Sequence, residues 1–543
     1  MIGRSPFAAL PSRRTAIRGG LSLVAAGLTP SSAAAAAQAP AQAGGRPFDV
    51  RTFGATGDQS ANATAAFQAA IDACTTAGGG TVYVPPGGYT VGMVQLKSHV
   101  TLDLAAGATL LLSQDNTQFP RGRRAMIYGE NAENIAVTGR GTLDGLAQYV
   151  FVEMRGVDPE IRREIEIARA AGVDMRRYYR TGVQTYMFIL NGCRNVLLRD
   201  ITIVGSPLWN VRLNDCDRVQ VHGVHIASDL EKGVNADGLD IASSTNVTVS
   251  DCVIETGDDA IVLKTIGRDG RPARPTENVT VTNCVLSSSS APLMIGTETQ
   301  ADIRHVLFDN CVIRNSNKGF GINVQDGATV SDVVFSHLTI ETSRRHWNWW
   351  GSAEMCKLVL KKRTPDSRLG AIRDIVLDTI VAHPRGTSTI VGHAERPLEN
   401  IRISNVTMAM LPENAVDKRA TDALQVERVR GFRVRDLSVR WSEESAEPAW
   451  RSALVLRRVS EFQVDGFEGR QGDASGRAAA ILLEDASDGA ILNATGTSGC
   501  RSLVHVRGDE TRGIAVRGSR LAAGASAVTF ENSAVKKRVR LEQ

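Results

Sequence analysis

Asn246–Ile254 reads NVTVSDCVI, and 32 residues later Asn278–Leu286 reads NVTVTNCVL. Each has a polar residue, alternating β-branched positions, a polar corner and a second short apolar run. The template recurs as NVLLRDITI from Asn195, RVQVHGVHI from Arg218, HVLFDNCVI from His305, DVVFSHLTI from Asp332, DIVLDTIVA from Asp374, NIRISNVTM from Asn400 and GFRVRDLSV from Gly431. Successive starts lie 23, 28, 32, 27, 27, 42, 26 and 31 residues apart. Alternation with period two means strands, and one template repeated at coil-length intervals means stacked supersecondary units. Helical patterns between the runs are nearly absent, which excludes a wound βαβ sheet. A two-sheet sandwich would not repeat one template at such intervals. The chain therefore reads as all-β, a single-stranded right-handed parallel β-helix (a solenoid), with handedness taken from the crossover rule.

Such a stack needs a covered end. NATAAFQAAIDACTTAGGG, from Asn62, reads as an amphipathic helix stopped by glycines, an N-terminal capping helix over the first coil. The other strong helical pattern, from Asp158 to Arg180, interrupts the coils and is expected either to wall a cleft or to sit passively on the surface. The 42-residue interval holds RRHWNWWGSAE, Arg344 to Glu354, read as a loop leaving the coil. Its Trp349 and Trp350 are candidates for stacking on sugar faces, and its Arg and His side chains for bonding hydroxyls.

The first 43 residues read as an export leader, with Arg13-Arg14, the short apolar run LSLVAAGL and AQA at Ala41–Ala43 as a cleavage point. The paired arginines favour the twin-arginine route and a periplasmic or extracellular destination. The solenoid then occupies 44–543, with coils to about 530. The leader carries Arg4, Arg13, Arg14 and Arg18 and no acid, so the net charge of +4 leaves with it. A near-neutral chain offers no global field for nucleic acid. The basic run KKRVR near the C-terminus reads as a solvated end. The apolar run is too short to span a bilayer, and a monomer is expected. Cys252, Cys284 and Cys311 share one template position, which favours buried free thiols in a ladder over disulfides.

Against this regular background stands NADGLDIASSTNVTVSDCVIETGDDAIVLK, Asn235 to Lys264. On a strand Asn235 and Asp237 would share one face, and Asp258 follows Asp237 by about one coil. Stacking then gathers Asp237, Asp258 and Asp259 on one outer surface, where mutual repulsion raises at least one carboxyl pKa. Such a cluster suits either a metal ion or the proton exchange of glycoside cleavage. Lys264 and Glu298 are expected to face the same cleft. His222 and His225, three residues apart, are placed on opposite strand faces and so make no joint metal site. No zinc spacing, nucleophile elbow or phosphate-cradling loop is present, and no cofactor is expected.

NADGLD followed by TGDDAIVLK resembles the paired signature of glycoside hydrolase family 28, the polygalacturonase-like pectin hydrolases. FGATGD at Phe53, GGGTVYVPPGGY at Gly78, GTLDG at Gly141 and PLWNVRLNDC at Pro207 agree with it, over about residues 48 to 380. The resemblance implies an inverting hydrolase with Asp258 as general acid, Asp237 and Asp259 holding the attacking water, Asn235 orienting the group and Asp240 completing the motif. The family's Gly-His-Gly aligns with SSSSAPLMIGTE, where Ser290 replaces the histidine. Its Arg-Ile-Lys aligns with Gly321, Ile322 and Asn323. Loss of those basic residues argues for rhamnogalacturonan-type or other pectic linkages over plain polygalacturonate, with Lys264 and Arg212 as replacement charges. A polysaccharide lyase, or a carbohydrate-binding β-helix without chemistry, is the alternative on the same fold.

Overall fold

Every one of the nine template segments begins on a residue with positive φ, from Asn195 at 52° through Asn246 at 56° and Asn278 at 60° to Gly431 at 75°. Five residues later each turns again through a positive φ, as at Asp251 (58°), Asn283 (57°) and Asn310 (50°). Left-handed backbone costs most residues energy, and Asn, Asp and Gly bear it best. The polar positions of the repeat are therefore corners. The apolar positions between them point inward.

The computed structural model describes residues 46–153, 159–173, 179–181, 185–345, 351–443, 445–521 and 523–542. From residue 46 onward the chain winds as a parallel β-helix with three sheets along its length. The first sheet stacks Arg194–Arg199, Asp217–His222, Thr245–Ser250 and Thr276–Thr282. The second stacks the short strands that follow each corner, such as His225–Ala227, Val253–Thr256 and Val285–Ser288. The third carries the strands that matter for function: β1 (Val211–Asn214), β2 (Leu239–Ala242), β3 (Ile261–Thr265), β4 (Leu293–Thr299), β5 (Lys318–Val324) and β6 (Glu354–Leu360). All pair in parallel, with Val211, Leu239, Ile261, Leu293, Phe320 and Cys356 in register. Stacking like on like buries a continuous apolar column; Phe308, Phe335 and Phe320 stack at 4.9 and 4.3 Å between ring centres.

Helix α1 (Thr64–Thr76) caps the first coil. Phe67, Ala70, Ile71 and Cys74 recur at helical spacing and are fully buried against the strands Gly80–Val84, Val94–Leu96 and Val100–Leu104. Asn62 Oδ1 accepts the Thr64 amide at 2.9 Å, closing the helix start. Helix α2 (Pro159–Ala170) lies in an excursion between Phe151–Glu153 and Tyr179–Thr181, which pair antiparallel. The eight cysteines are free and buried, and five of them form two ladders at two different corners: Cys193 with Cys216, and Cys252 with Cys284 and Cys311.

Three sequence readings change. His222 and His225 are not on opposite faces of one strand; Gly223 and Val224 form a corner between them, and both are exposed on adjoining sheets. His222 pairs with Asp251 at 3.2 Å. Arg344 is not available to a sugar: it is buried and paired with Asp417 at 3.0 Å and Glu413 at 3.2 Å. The coils do not stop at about 530: Val539–Glu542 forms a strand paired with Arg512–Arg517, while the basic residues of KKRVR stay exposed to solvent as read. The long 42-residue interval arises because the chain leaves the coil after Thr342 and re-enters the third sheet as β6. The leader expected over 1–43, and Trp349 and Trp350, lie outside the described residues. Among the described residues no helix is long and apolar enough to cross a membrane.

Candidate active site

The acidic residues sit where the chain turns into the third sheet. Counting two residues back from the register of β1 to β6 gives Trp209, Asp237, Asp259, Ala291, Lys318 and Glu354, one above another. One residue earlier come Asp258 and Ser290 on adjoining coils. Backbone bonds pin this ladder: Asn210 N donates to Asp237 O at 2.8 Å, Gly238 N to Asp259 O at 2.9 Å, and Ala260 N to Ala291 O at 3.1 Å. The two motif glycines permit the close approach. A Cβ on Gly238 would lie 2.3 Å from Ala260 O, and one on Gly257 would lie 2.2 Å from Gly233 O.

Asn235 and Asp237 therefore stand on a turn before β2, and not on a strand face as the alternation suggested. Asn235 is half-buried there, while the Asp237 side chain is buried. Carboxyl oxygens of Asp237, Asp258 and Asp259 lie within 4.8 Å of one another. Two hydrogen bonds of about 2.8 Å each span up to roughly 5.6 Å, so one water fits between any two of them. Among the described residues this is also the one group of three or more such side chains with ligand atoms close enough for a metal ion.

Burial dominates the electrostatics. It pushes the Asp237 and Asp258 carboxyls well above the usual carboxylate range, helped by Asp240 at Asp237 and by Asp259 at Asp258. Burial pushes Asp240 up to about 6, against the pull of Lys264 toward the ionised form. Asp259 is also raised by burial, but Ser290 Oγ at 2.7 Å and the Ala291 amide at 3.1 Å donate to its Oδ1 and favour its charge. Asp237 Oδ1 and Asp240 Oδ2 are buried with no hydrogen-bond partner among the described residues. Lys264 is 5 % exposed. Burial alone would lower its pKa; instead Asp240 at 2.6 Å, Asp237 at 3.4 Å and Glu298 at 3.8 Å hold it charged, with a raised pKa. Its ammonium also lies 3.9 Å from the centre of the Trp209 ring.

The structure thus brings together Asp237, Asp240, Asp258, Asp259, Lys264, Glu298 and Ser290. Arg212 stands beside them, 5.8 Å from both the Trp209 and Tyr186 rings. Asn323 follows Ile322, which is in register with Ile295 and Leu263, so it stands at the level of Lys264 two coils on. Its buried Oδ1 has no hydrogen-bond partner among the described residues. Sequence reading missed Trp209, Tyr186 and Lys318. Lys318 is 4 % exposed and burial lowers its pKa, while Glu354, Asp259 and Asp258 pull it back toward charge. Its stem lies over Gly321, where an added Cβ would be 3.4 Å from Lys318 Cδ. Counting coils forward from Asp259 would have found it.

Residues 74–346 match the family model described as Glycosyl hydrolases family 28. Over 233 residues the chain is 29 % identical to a Vitis vinifera protein described as "Probable polygalacturonase", covering 39 % of this chain and 43 % of that one. Over 252 residues it is 27 % identical to an exo-poly-alpha-D-galacturonosidase of Dickeya chrysanthemi, covering 39 % and 41 %. The chain thus spans about two fifths of the length of these curated relatives. Among solved structures, an exopolygalacturonase from Thermotoga maritima superposes with a TM-score of 0.58 at 20 % identity, over 73 % of this chain and 92 % of that one, and so shares the fold.

Proposed function

From the premise that this chain belongs to glycosyl hydrolases family 28, we propose that it is an exported glycoside hydrolase cleaving pectin-type polysaccharide by an inverting acid/base mechanism. The observation that carries this is the triad of carboxyl oxygens within 4.8 Å, mostly buried and short of positive charge. Burial and mutual repulsion disfavour ionising all three together, which favours keeping a proton among them.

Asp258, buried and beside Asp259, keeps that proton and donates it to the leaving glycosidic oxygen. Asp259 is held by Ser290 and the Ala291 amide and is the more easily ionised member. With Asp237 it orients a water and takes its proton as that water attacks the anomeric carbon from the opposite face. Lys264 neutralises Asp240 and Asp237 and fixes the floor of the cleft. Trp209 and Tyr186 stand edge to face at 5.7 Å between ring centres and offer aromatic surface to a sugar ring. Trp349 and Trp350 are proposed as a further platform, and the leader over 1–43 supports export.

Rhamnogalacturonan-type or otherwise substituted pectic linkages are favoured over plain polygalacturonate. Gly321 and Asn323 replace the basic pair expected from the family resemblance. Lys264, offered as a replacement, is already committed to Asp240 and Asp237. The test is a panel of pectic oligosaccharides, with and without chelator, scored for reducing ends and for ultraviolet-absorbing products. Chelator-resistant release of reducing ends, greatest on the substituted substrates, supports the reading. Ultraviolet-absorbing products lost on chelation would replace it with a lyase.

A further inference from the structure

Beyond the matched region, the same outer face of the third sheet opens into a cavity of about 510 Å³. Register carries one outward file without a break from Val262 in β3 through Met294, Gly321, Lys357, Thr389 and Gln425 to Val455. At about 4.8 Å per coil, those six steps place the cavity roughly 29 Å along the axis from the catalytic carboxylates. Val455 and Leu482 form its apolar floor.

The polar groups around this floor are unequally committed. Both lining carboxylates already accept hydrogen bonds from the protein. Asp422 accepts from the Ser452 amide at 2.8 Å and from Gln425 Nε2 at 2.7 Å. Asp473 accepts from the amides of Ser475, Arg477 and Ala478. Arg457 and Arg507 share Glu484 at 2.8 and 2.9 Å. The groups left over are donors. The Trp450 side chain is 1 % exposed and its Nε1–H has no acceptor among the described residues; the Arg507 Nε–H likewise has none. The exposed Arg451 guanidinium makes no hydrogen bond or ion pair among the described residues, and Arg477 gives only its Nε–H, to Ser475 Oγ at 2.9 Å. A donor-rich, acceptor-poor pocket over an apolar floor fits a ligand with carboxylate and hydroxyl oxygens around a carbon ring.

We propose that this cavity is a second carbohydrate-binding site, taking a uronate-bearing stretch of the polysaccharide whose cleavage occurs farther along the sheet. The choice of a uronate rests on the proposed pectic substrate; the existence of a site for an anionic sugar rests on the cavity alone. A polymer lying along the sheet engages both places, whereas a short oligosaccharide occupies one at a time. Occupancy here raises the local concentration of chain at the carboxylates.

The test uses the full chain carrying Asp258→Asn to prevent turnover, and follows the indole N–H resonances of Trp450 and Trp209 by NMR. Each resonance is assigned by its Trp→Phe variant. The probes are a short oligogalacturonate, a neutral galacto-oligosaccharide and inorganic phosphate. The proposal expects saturable movement of the Trp450 signal with oligogalacturonate, weakened about tenfold or more by Arg451→Ala with Arg477→Ala. The Trp209 response should stay unchanged in that double variant. In the chain with Asp258 intact, the same two substitutions should raise KM for polymer and leave kcat/KM for the short oligomer unaltered. Movement of Trp209 alone overturns the second site while leaving the catalytic reading standing. An equal Trp450 response to the neutral sugar or to phosphate overturns the uronate assignment. Silence of both signals overturns the proposal, and the reducing-end assay then shows separately whether the pectic reading falls with it.

Discussion

At the residue scale, the site is governed by how little positive charge accompanies its buried acids. Lys264 is the counter-charge for Asp237 and Asp240. Its replacement in Lys264→Met strands both carboxylates, and breaking a buried pair in this way costs about 3–5 kcal/mol. The pH dependence has a definite sign. Both carboxyls already titrate above their unfolded values, and removing Lys264 raises them further. Such groups contribute most below the unfolded carboxyl range, and that contribution is lost as pH rises through the folded values. The deficit of Lys264→Met, read from denaturant midpoints, should therefore be larger at neutral pH than near about pH 5. Ser290→Ala is the complementary case. It removes a hydrogen bond to the ionised form of Asp259, raising that carboxyl, so the acid-side limb of the kcat/KM profile should move to higher pH. Activity below the limb should drop a few-fold, with little change above it.

At the element scale, the repeat is a sequence of corners as much as of strands. Asn278 sits at φ 60° and its Nδ2 donates to Asn246 Oδ1 at 3.0 Å, one rung of a ladder along the solenoid. Asn246 donates in turn to Asp217 at 2.7 Å. Asn278→Ala places a Cβ-bearing residue without a compensating amide in the left-handed region and should lower stability by about 2 kcal/mol. Asn278→Gly should recover most of that loss in a denaturant titration, because the conformational part then vanishes. The corners were legible in sequence as polar positions, and the strands as alternation. What alternation could not show was that Asn235 and Asp237 precede the strand, or that a corner separates His222 from His225. Period-two patterning assigns a face only within a strand, and both cases fall at its ends.

At the scale of the whole molecule, the repeat fixed the architecture in advance because every coil obeys the same template and neighbours stack in register. The three acids could be gathered from spacing alone, since the offset of 22 residues from Asp237 to Asp259 is one tight coil. Lys318 and Trp209 lie at the same template offset, 59 residues after Asp259 and 28 before Asp237, as His305 follows and Arg218 precedes Asn246. But a cation or aromatic ring at a corner carries no motif of its own to mark it. The cavity at Val455 and Leu482 was equally silent, being built from the turns of separate coils. Cohesion comes from the apolar column and the corner ladders, with all eight cysteines free. Adding reductant should leave the thermal midpoint where it was, and a fall of several degrees would show a disulfide contributing to the fold.

The most direct measurement is release of reducing ends from a pectic substrate by Asp258→Asn, alongside the thermal midpoint of the same protein. The exchange removes one transferable proton from a buried site and alters little volume. Loss of turnover by a factor of about a hundred to ten thousand, with an unchanged or higher midpoint, is the predicted result. Turnover close to that of the unsubstituted chain would contradict it, because the retained proton would then lie elsewhere.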